Sequence, residues 1–269
     1  MVSSLSIVIP VLDEEEEIVR ILSGATTLLG DRGGEWEIIV VDNASKDRTC
    51  ALVEPFLDDA RIRLLRNEVN RGKGYSIRRG MLEAHGDLRL MCDADCVTSL
   101  SSLGDLEGAL EEVDVAVGSR LSAGARVARH QPIKRRIVGF GFLALTRIVM
   151  GPLPRDVYCG VKLWKGEVAE AVFGRVHLDG WAFDAEALAL ARRLGYSIRE
   201  VGIEWTNRSD SRLSIGNVLL PVTGELLSAR RNVRRAVAEA RRTHPQPDGR
   251  RTFSLAEGHA DRRGDGFPE

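Results

Sequence analysis

The chain has no run of about 18 apolar residues, the least that a membrane-spanning helix needs, so it reads as one that does not cross a bilayer. Its four cysteines, Cys50, Cys92, Cys96 and Cys159, are too few and too scattered for a disulfide framework. No basic segment precedes the first apolar run, which meets the glutamates Glu14–Glu17, so the start does not read as a signal peptide. No Gly-x-Gly-x-x-Gly follows that run, which excludes the dinucleotide fingerprint. No Gly-x-Ser-x-Gly is present either, which excludes the nucleophile elbow of the serine hydrolases. An excess of one charge is also lacking: 38 Lys plus Arg stand against 39 Asp plus Glu. General nucleic-acid binding is therefore not expected. The starting expectation is a soluble, cytoplasmic protein of 269 residues, enough for one large core or two small ones.

What is present is an alternation of short apolar runs and amphipathic segments. Leu5–Val11 reads as a buried strand, and 15–29 as a helix with Ile18, Ile21, Leu22 and Leu28 inward. Further strands are predicted at 36–41, 61–65, 88–92, 113–118 and 197–205. Helices are predicted over 47–57, from Gly72 towards His85, and over 133–150, 183–194 and 215–242. Strand–helix alternation in the first half predicts a mostly parallel sheet flanked by helices, an α/β fold. Ligands of such sheets gather at the carboxyl ends of the strands. Asp13, Asp42 and the pair Asp93/Asp95 all fall at such ends. From Thr243 the chain is rich in charge, proline and glycine, and 243–269 reads as a disordered tail.

Asp93-Ala94-Asp95 places two carboxylates just beyond an apolar strand, a pattern suited to Mg²⁺ or Mn²⁺ bridging to phosphate oxygens. An Asp-rich turn reads the same way when taken alone. Cys92 and Cys96 flank the pair, but zinc would need two more ligands and His85 is the only histidine nearby. Further blocks occur in a fixed order: Pro10-Val11-Leu12-Asp13-Glu14, Val41-Asp42-Asn43-Ala44-Ser45-Lys46-Asp47 and Asn70-Arg71-Gly72-Lys73-Gly74. After the aspartate pair come Gly118-Ser119-Arg120, Asp156-Val157-Tyr158-Cys159-Gly160-Val161-Lys162, Trp181-Ala182-Phe183-Asp184-Ala185-Glu186 and Glu204-Trp205.

This succession, over about residues 5 to 213, resembles the family 2 glycosyltransferases, and within them the dolichyl- or polyprenyl-phosphate glucosyltransferase branch. The processive-synthase signature Gln-x-x-Arg-Trp of that superfamily is absent, which counts against chain elongation. The resemblance implies a single Rossmann-like GT-A domain over 1–213, with a nucleotide-binding half (1–116) and an acceptor half (117–213). The 214–242 segment would follow it as a basic C-terminal helix. It also implies inverting, metal-dependent transfer of a hexose, glucose first, from a UDP-sugar to a polyprenyl or dolichyl phosphate. Pro10, Asp13, Glu14, Asp42, Arg71, Lys73, Asp93 and Ala94 would bind the donor. Asp95, with Asp93, would hold Mg²⁺ or Mn²⁺. Arg120 and Asp156 would be catalytic, Asp156 as a base or as a group that positions the acceptor. Arg129, Arg135, Lys162, Trp181 and Asp184 would lie on the acceptor side. Asp184 and Glu186, at i and i+2 of a helix, should point to different faces. The family's usual Thr-Gln is Val157-Tyr158 here, which bears on acceptor or sugar preference.

The near-zero net charge conceals a division. Residues 1–116 hold 12 basic and 23 acidic residues, and residues 117–242 hold 22 and 11. No acid occurs from Val115 to Arg155, and the basic stretch there leads into the apolar 137–145. That order suits a lipid phosphate and a membrane surface, as does the arginine-rich 225–242. Two other functions fit the same residues: a family 2 transferase with a soluble acceptor, and a non-catalytic nucleotide-sugar-binding protein.

Overall fold

The computed structural model describes residues 2–128, 133–206 and 215–243, without the side chains of 133–138, 215–222 and 243. The first half alternates β1 (Leu5–Val11), α1 (Ile18–Arg32), β2 (Trp36–Asp42), α2 (Thr49–Val53) and β3 (Ile62–Arg66). It continues through α3 (Lys73–Glu83), β4 (Leu88–Cys92), a 3₁₀ turn over Val97–Ser102, α4 (Leu103–Leu110) and β5 (Val115–Ser119). The second half holds β6 (Arg126–Val127), α5 (Ile133–Met150), β7 (Val161–Lys165), α6 (Gly166–Phe173) and α7 (Phe183–Arg193). It ends with β8 (Ile198–Gly202), β9 (Glu204–Trp205) and α8 (Ile215–Thr243).

Seven strands form one sheet in the order β3-β2-β1-β4-β7-β5-β8, and β6 pairs with β9 beside it. All neighbours in the large sheet are parallel except β7, which runs antiparallel to both β4 and β5. Period-2 alternation sends successive side chains to opposite faces. Ile7, Ile9, Ile38 and Val40 enter a core with α1 and α4, while Val8, Ile39 and Val41 enter one with α3, α6, α7 and α8. Because both faces are covered, β1 and β2 read as nearly continuous Val/Ile runs.

The helices obey the 3.6 period. α1 buries Ile18, Ile21, Leu22, Ala25 and Leu29, with Leu28 only partly buried beside them. α7 is buried from Phe183 to Ala191 because α8 covers its outer side with Leu226, Ala229, Val233, Ala236 and Val237. α1 starts later than Glu15 because the glutamates before it form a turn tied to the loop after β2. There the Glu14 N–H donates to Thr49 Oγ1 at 2.8 Å, and Glu15 N–H to Asp47 Oδ2 at 3.1 Å. α2 is shorter than expected and tightens into a 3₁₀ turn at Glu54–Phe56, where Pro55 removes a backbone donor. The single strand expected over 197–205 is two, interrupted at Ile203. The tail from 244 onward lies outside the described residues.

Candidate active site

The carboxyl ends of β1, β2 and β4 lie side by side, and the loops leaving them carry the expected aspartates. Asp13 takes a left-handed backbone (φ 54°), a conformation that Asp tolerates better than most residues. In that pose its N–H donates to Ser45 Oγ at 2.9 Å and its Oδ1 accepts from the Lys46 N–H at 2.7 Å. Asp42 ends β2 and is almost fully buried. One of its oxygens accepts from the Ser45 N–H at 3.1 Å. The other lies 3.9 Å from Arg66 Nε. The nearby Cys50 thiol is pushed up to about 11, first by burial and then by Asp42. Pro10 sits opposite Val41 in the β1–β2 register, and Glu14 is half-buried. Asn43 binds the next loop: its amide donates to Asn70 at 2.8 Å, and its carbonyl accepts from Arg71 N–H and Asn67 Nδ2.

The turn after β4 gathers the second cluster. Lys73 Nζ donates to Asp93 Oδ2 at 2.6 Å. Burial works against the charge of Lys73, and Asp93 and then Asp184 outweigh it, so the ammonium is held more firmly protonated than usual. Asp93 Oδ1 is buried without a hydrogen-bond partner. Ligand atoms of Asp93, Asp95 and Cys96 lie within 4.8 Å of one another, and the Cys96 thiol donates to Asp95 Oδ1 at 3.5 Å. Ala94 between the carboxylates is buried. Two hard carboxylates, one with an orphan oxygen, are a donor set that fits a divalent cation. Cys92 is not part of this group.

The glycines at 72 and 74 serve packing at this point. A Cβ on Gly72 (φ 101°) would stand 2.3 Å from the Asp179 carbonyl oxygen, and one on Gly74 2.5 Å from that of Leu178. The turn thus presses α3 onto the segment leading into α7. Arg71 stacks on Tyr75 at 3.8 Å and lies 3.6 Å from Asp179.

On the acceptor side, Arg120 at the end of β5 grips Asp156 with both arms. Nε donates to Oδ2 at 2.8 Å, Nη2 to Oδ1 at 2.7 Å, and the Arg120 N–H adds a third bond at 2.9 Å. Asp156 is 1% exposed, its own N–H donates to Glu200, and Trp205 flanks the guanidinium at 5.0 Å. Burial opposes the charge on Arg120 and Asp156 outweighs it, so the cation is held more firmly than usual. The Arg120 side chain keeps 27% of its surface exposed. Trp181 is 43% exposed, with Lys73 Nζ 5.4 Å from its ring.

Lys162 and Asp184, expected on the acceptor side, are both buried. They form a buried ion pair at 2.6 Å, and Lys162 Nζ also donates to the Cys159 carbonyl at 2.6 Å. Burial pushes the Asp184 carboxyl up, against the pull of the two lysines. Glu186 points elsewhere, as its i+2 spacing requires, and accepts from the His177 and Leu178 N–H groups. Tyr158 stacks on Phe142 of α5 at 4.8 Å and its hydroxyl meets Thr146 at 2.9 Å, so the Val157-Tyr158 pair is used in packing. Arg129 and the side chain of Arg135 lie outside the described residues.

Three contributors were given no role in the sequence reading. Gly160 lies against Asp93, where a Cβ would stand 2.3 Å from Oδ2, and its carbonyl accepts the Asp93 N–H at 3.1 Å. Cys96 was visible only as half of a rejected zinc pattern, and Glu200 carried no signal at all.

Known proteins are similar to this chain in sequence and in fold. The dolichyl-phosphate beta-glucosyltransferase of Dictyostelium discoideum is 31% identical over 223 residues, covering 78% of this chain and 68% of that protein. The human protein of the same name is 30% identical, covering 78% and 69%. Among solved structures, glucosyl-3-phosphoglycerate synthase from Mycobacterium tuberculosis, in complex with Mn²⁺, UDP-glucose and phosphoglyceric acid, has the same GT-A fold. Its TM-score is 0.63 at 20% identity, over 85% of this chain and 80% of that one. The model of glycosyl transferase family 2 matches residues 6–164, more than half of the sequence. The chain belongs to glycosyl transferase family 2.

Proposed function

We propose that this enzyme transfers glucose from UDP-glucose to a dolichyl or polyprenyl phosphate, with inversion at the anomeric carbon. The observation that carries this reading is one sheet edge with two opposed charge centres. They are the Asp93/Asp95 cluster with its orphan oxygen and, joined to it through residues 156–160, the fixed guanidinium of Arg120. Relatives named dolichyl-phosphate beta-glucosyltransferase support the acceptor.

Asp13 and Asp42, with the loops after β1 and β2, receive the base and ribose. Lys73 and Arg71 face the donor diphosphate. Asp95 and Asp93 would hold Mg²⁺ or Mn²⁺, which neutralises charge on a departing diphosphate. Mn²⁺ is the first choice, because it accompanies UDP-glucose in the mycobacterial structure. Arg120 binds and orients the acceptor phosphate. A phosphate oxygen is already anionic, so the bond to the anomeric carbon forms as the bond to the UDP oxygen breaks, with no proton to remove. Both Asp156 oxygens are taken by Arg120, which favours a positioning role over a base.

The acceptor's chain would meet the exposed Trp181 and, on α5, the exposed Phe140 and Ile148. No described helix is long and apolar enough to cross a membrane. A second reading, transfer to a soluble phosphate-bearing acceptor, is favoured by the phosphoglyceric acid bound in the mycobacterial neighbour. A partition assay with labelled UDP-glucose, Mn²⁺ and a short polyprenyl phosphate separates the two. Label in the organic phase is expected, and product confined to the aqueous phase would reject the lipid acceptor.

A further inference from the structure

Lys162 and Asp184 are 1% and 5% exposed, so neither can touch a substrate in the cleft. Yet the pair reaches the metal-binding edge through Lys162. Lys162 Nζ holds the Cys159 carbonyl at 2.6 Å. The next residue, Gly160, wraps Asp93: its carbonyl accepts the Asp93 N–H, and its Cα lies so close to the carboxylate that a Cβ would stand 2.3 Å from Oδ2. From the other side, Lys73 is bonded to the same Oδ2 at 2.6 Å. Oδ1 of Asp93 is left buried without a hydrogen-bond partner.

A buried ion pair is a poor way to stabilise a fold, since an apolar pair of similar volume often does as well or better. Groups that orient a metal ligand from behind are a different matter, because their loss is felt in metal affinity. We propose that Lys162 and Asp184 are positioning residues of the metal site: Asp184 holds Lys162, and Lys162 fixes the Cys159–Gly160 backbone so that Asp93 presents Oδ1 in a single orientation. This rests on the divalent-cation reading of Asp93 and Asp95.

The test is a titration of the full chain with Mn²⁺ in the presence of UDP, following free Mn²⁺ by electron paramagnetic resonance. The parent is compared with Asp184→Asn, which keeps the side-chain volume, and with the apolar double variant Lys162→Met/Asp184→Leu. Circular dichroism checks folding. Folded variants with Mn²⁺ affinity reduced by about tenfold or more are expected, from the known effect of removing outer-shell partners. Parent-like Mn²⁺ affinity in either folded variant overturns the proposal and leaves the metal reading standing. Absence of Mn²⁺ binding by the parent overturns the metal reading and the proposal together. If the double variant does not fold, Asp184→Asn decides alone. Failure of both to fold overturns the proposal in favour of a purely structural pair.

Discussion

At the scale of single residues, the site depends on close approach as much as on charge. Gly160→Ala forces a methyl group into the Asp93 carboxylate. It should cost about 1–3 kcal/mol of stability by overpacking and weaken Mn²⁺ binding as well, read by thermal melting and metal titration. Asp95→Ala should leave the melting temperature nearly unchanged and remove more than about 99% of turnover in the glucosyl-transfer assay, beyond what loss of an outer-shell partner costs. Asp156→Asn separates the two roles considered for that residue. An amide keeps one oxygen for Arg120 and loses one charge-assisted bond, worth about 1.5–3 kcal/mol. The expected result is a roughly 10- to 100-fold fall in kcat/KM for the acceptor, mostly in KM. A base would instead show in kcat, with Asn as damaging as Ala. The aspartates at strand ends were legible in the sequence because each ends an apolar run and stands in an ordered succession of blocks, whereas an Asp-x-Asp alone reads equally as a turn. Gly160 and Glu200 were not, because their importance lies in what stands opposite them after folding.

At the scale of elements, β8 is fastened to the sheet by Asp114, just before β5. Its Oδ2 accepts from the Ser197 N–H at 2.9 Å and the Ser197 hydroxyl at 2.8 Å, and its Oδ1 from Lys165 at 3.1 Å. Burial pushes this carboxyl up, but the Ser197 and Lys165 bonds outweigh it and hold it below the usual value. A lowered folded-state pKa gives stability that is present above the unfolded pKa and lost as pH falls through the folded one. Asp114→Asn should therefore melt below the parent at pH 7, and the gap should close below the usual carboxylate range. Parallel melts across that pH range check it. The strands of the first half and the longer helices were readable from hydrophobic period. β7 and α6 were not expected. Lys162 and Lys165 break the apolar run of β7, and the first of them is a buried charge whose partner, Asp184, is distant in sequence. α4 was missed for lack of length: it spans eight residues.

At the scale of the whole molecule, the charge division read in the sequence has a partial structural counterpart. Arg230, Arg231, Arg234, Arg235, Arg241 and Arg242 are all exposed on α8. If the acceptor lies in an anionic leaflet, this helix should strengthen binding to it. Co-sedimentation with phosphatidylserine vesicles should be strong at low salt and weak at high salt. It should fall when Arg230, Arg231, Arg234 and Arg235 are replaced by Gln. The reversed strand β7 also bears on how the chain is made. It lies between β4 and β5, so the middle of the sheet cannot close until residue 165 has been synthesised. Until then the nascent first half carries β4 as an unpaired edge built almost wholly of buried residues. Such an edge is a template for intermolecular pairing, and long-range pairing of this kind forms slowly. The interval between synthesis of β4 and of β7 is thus one in which the apolar edge of β4 has no partner strand in its own chain.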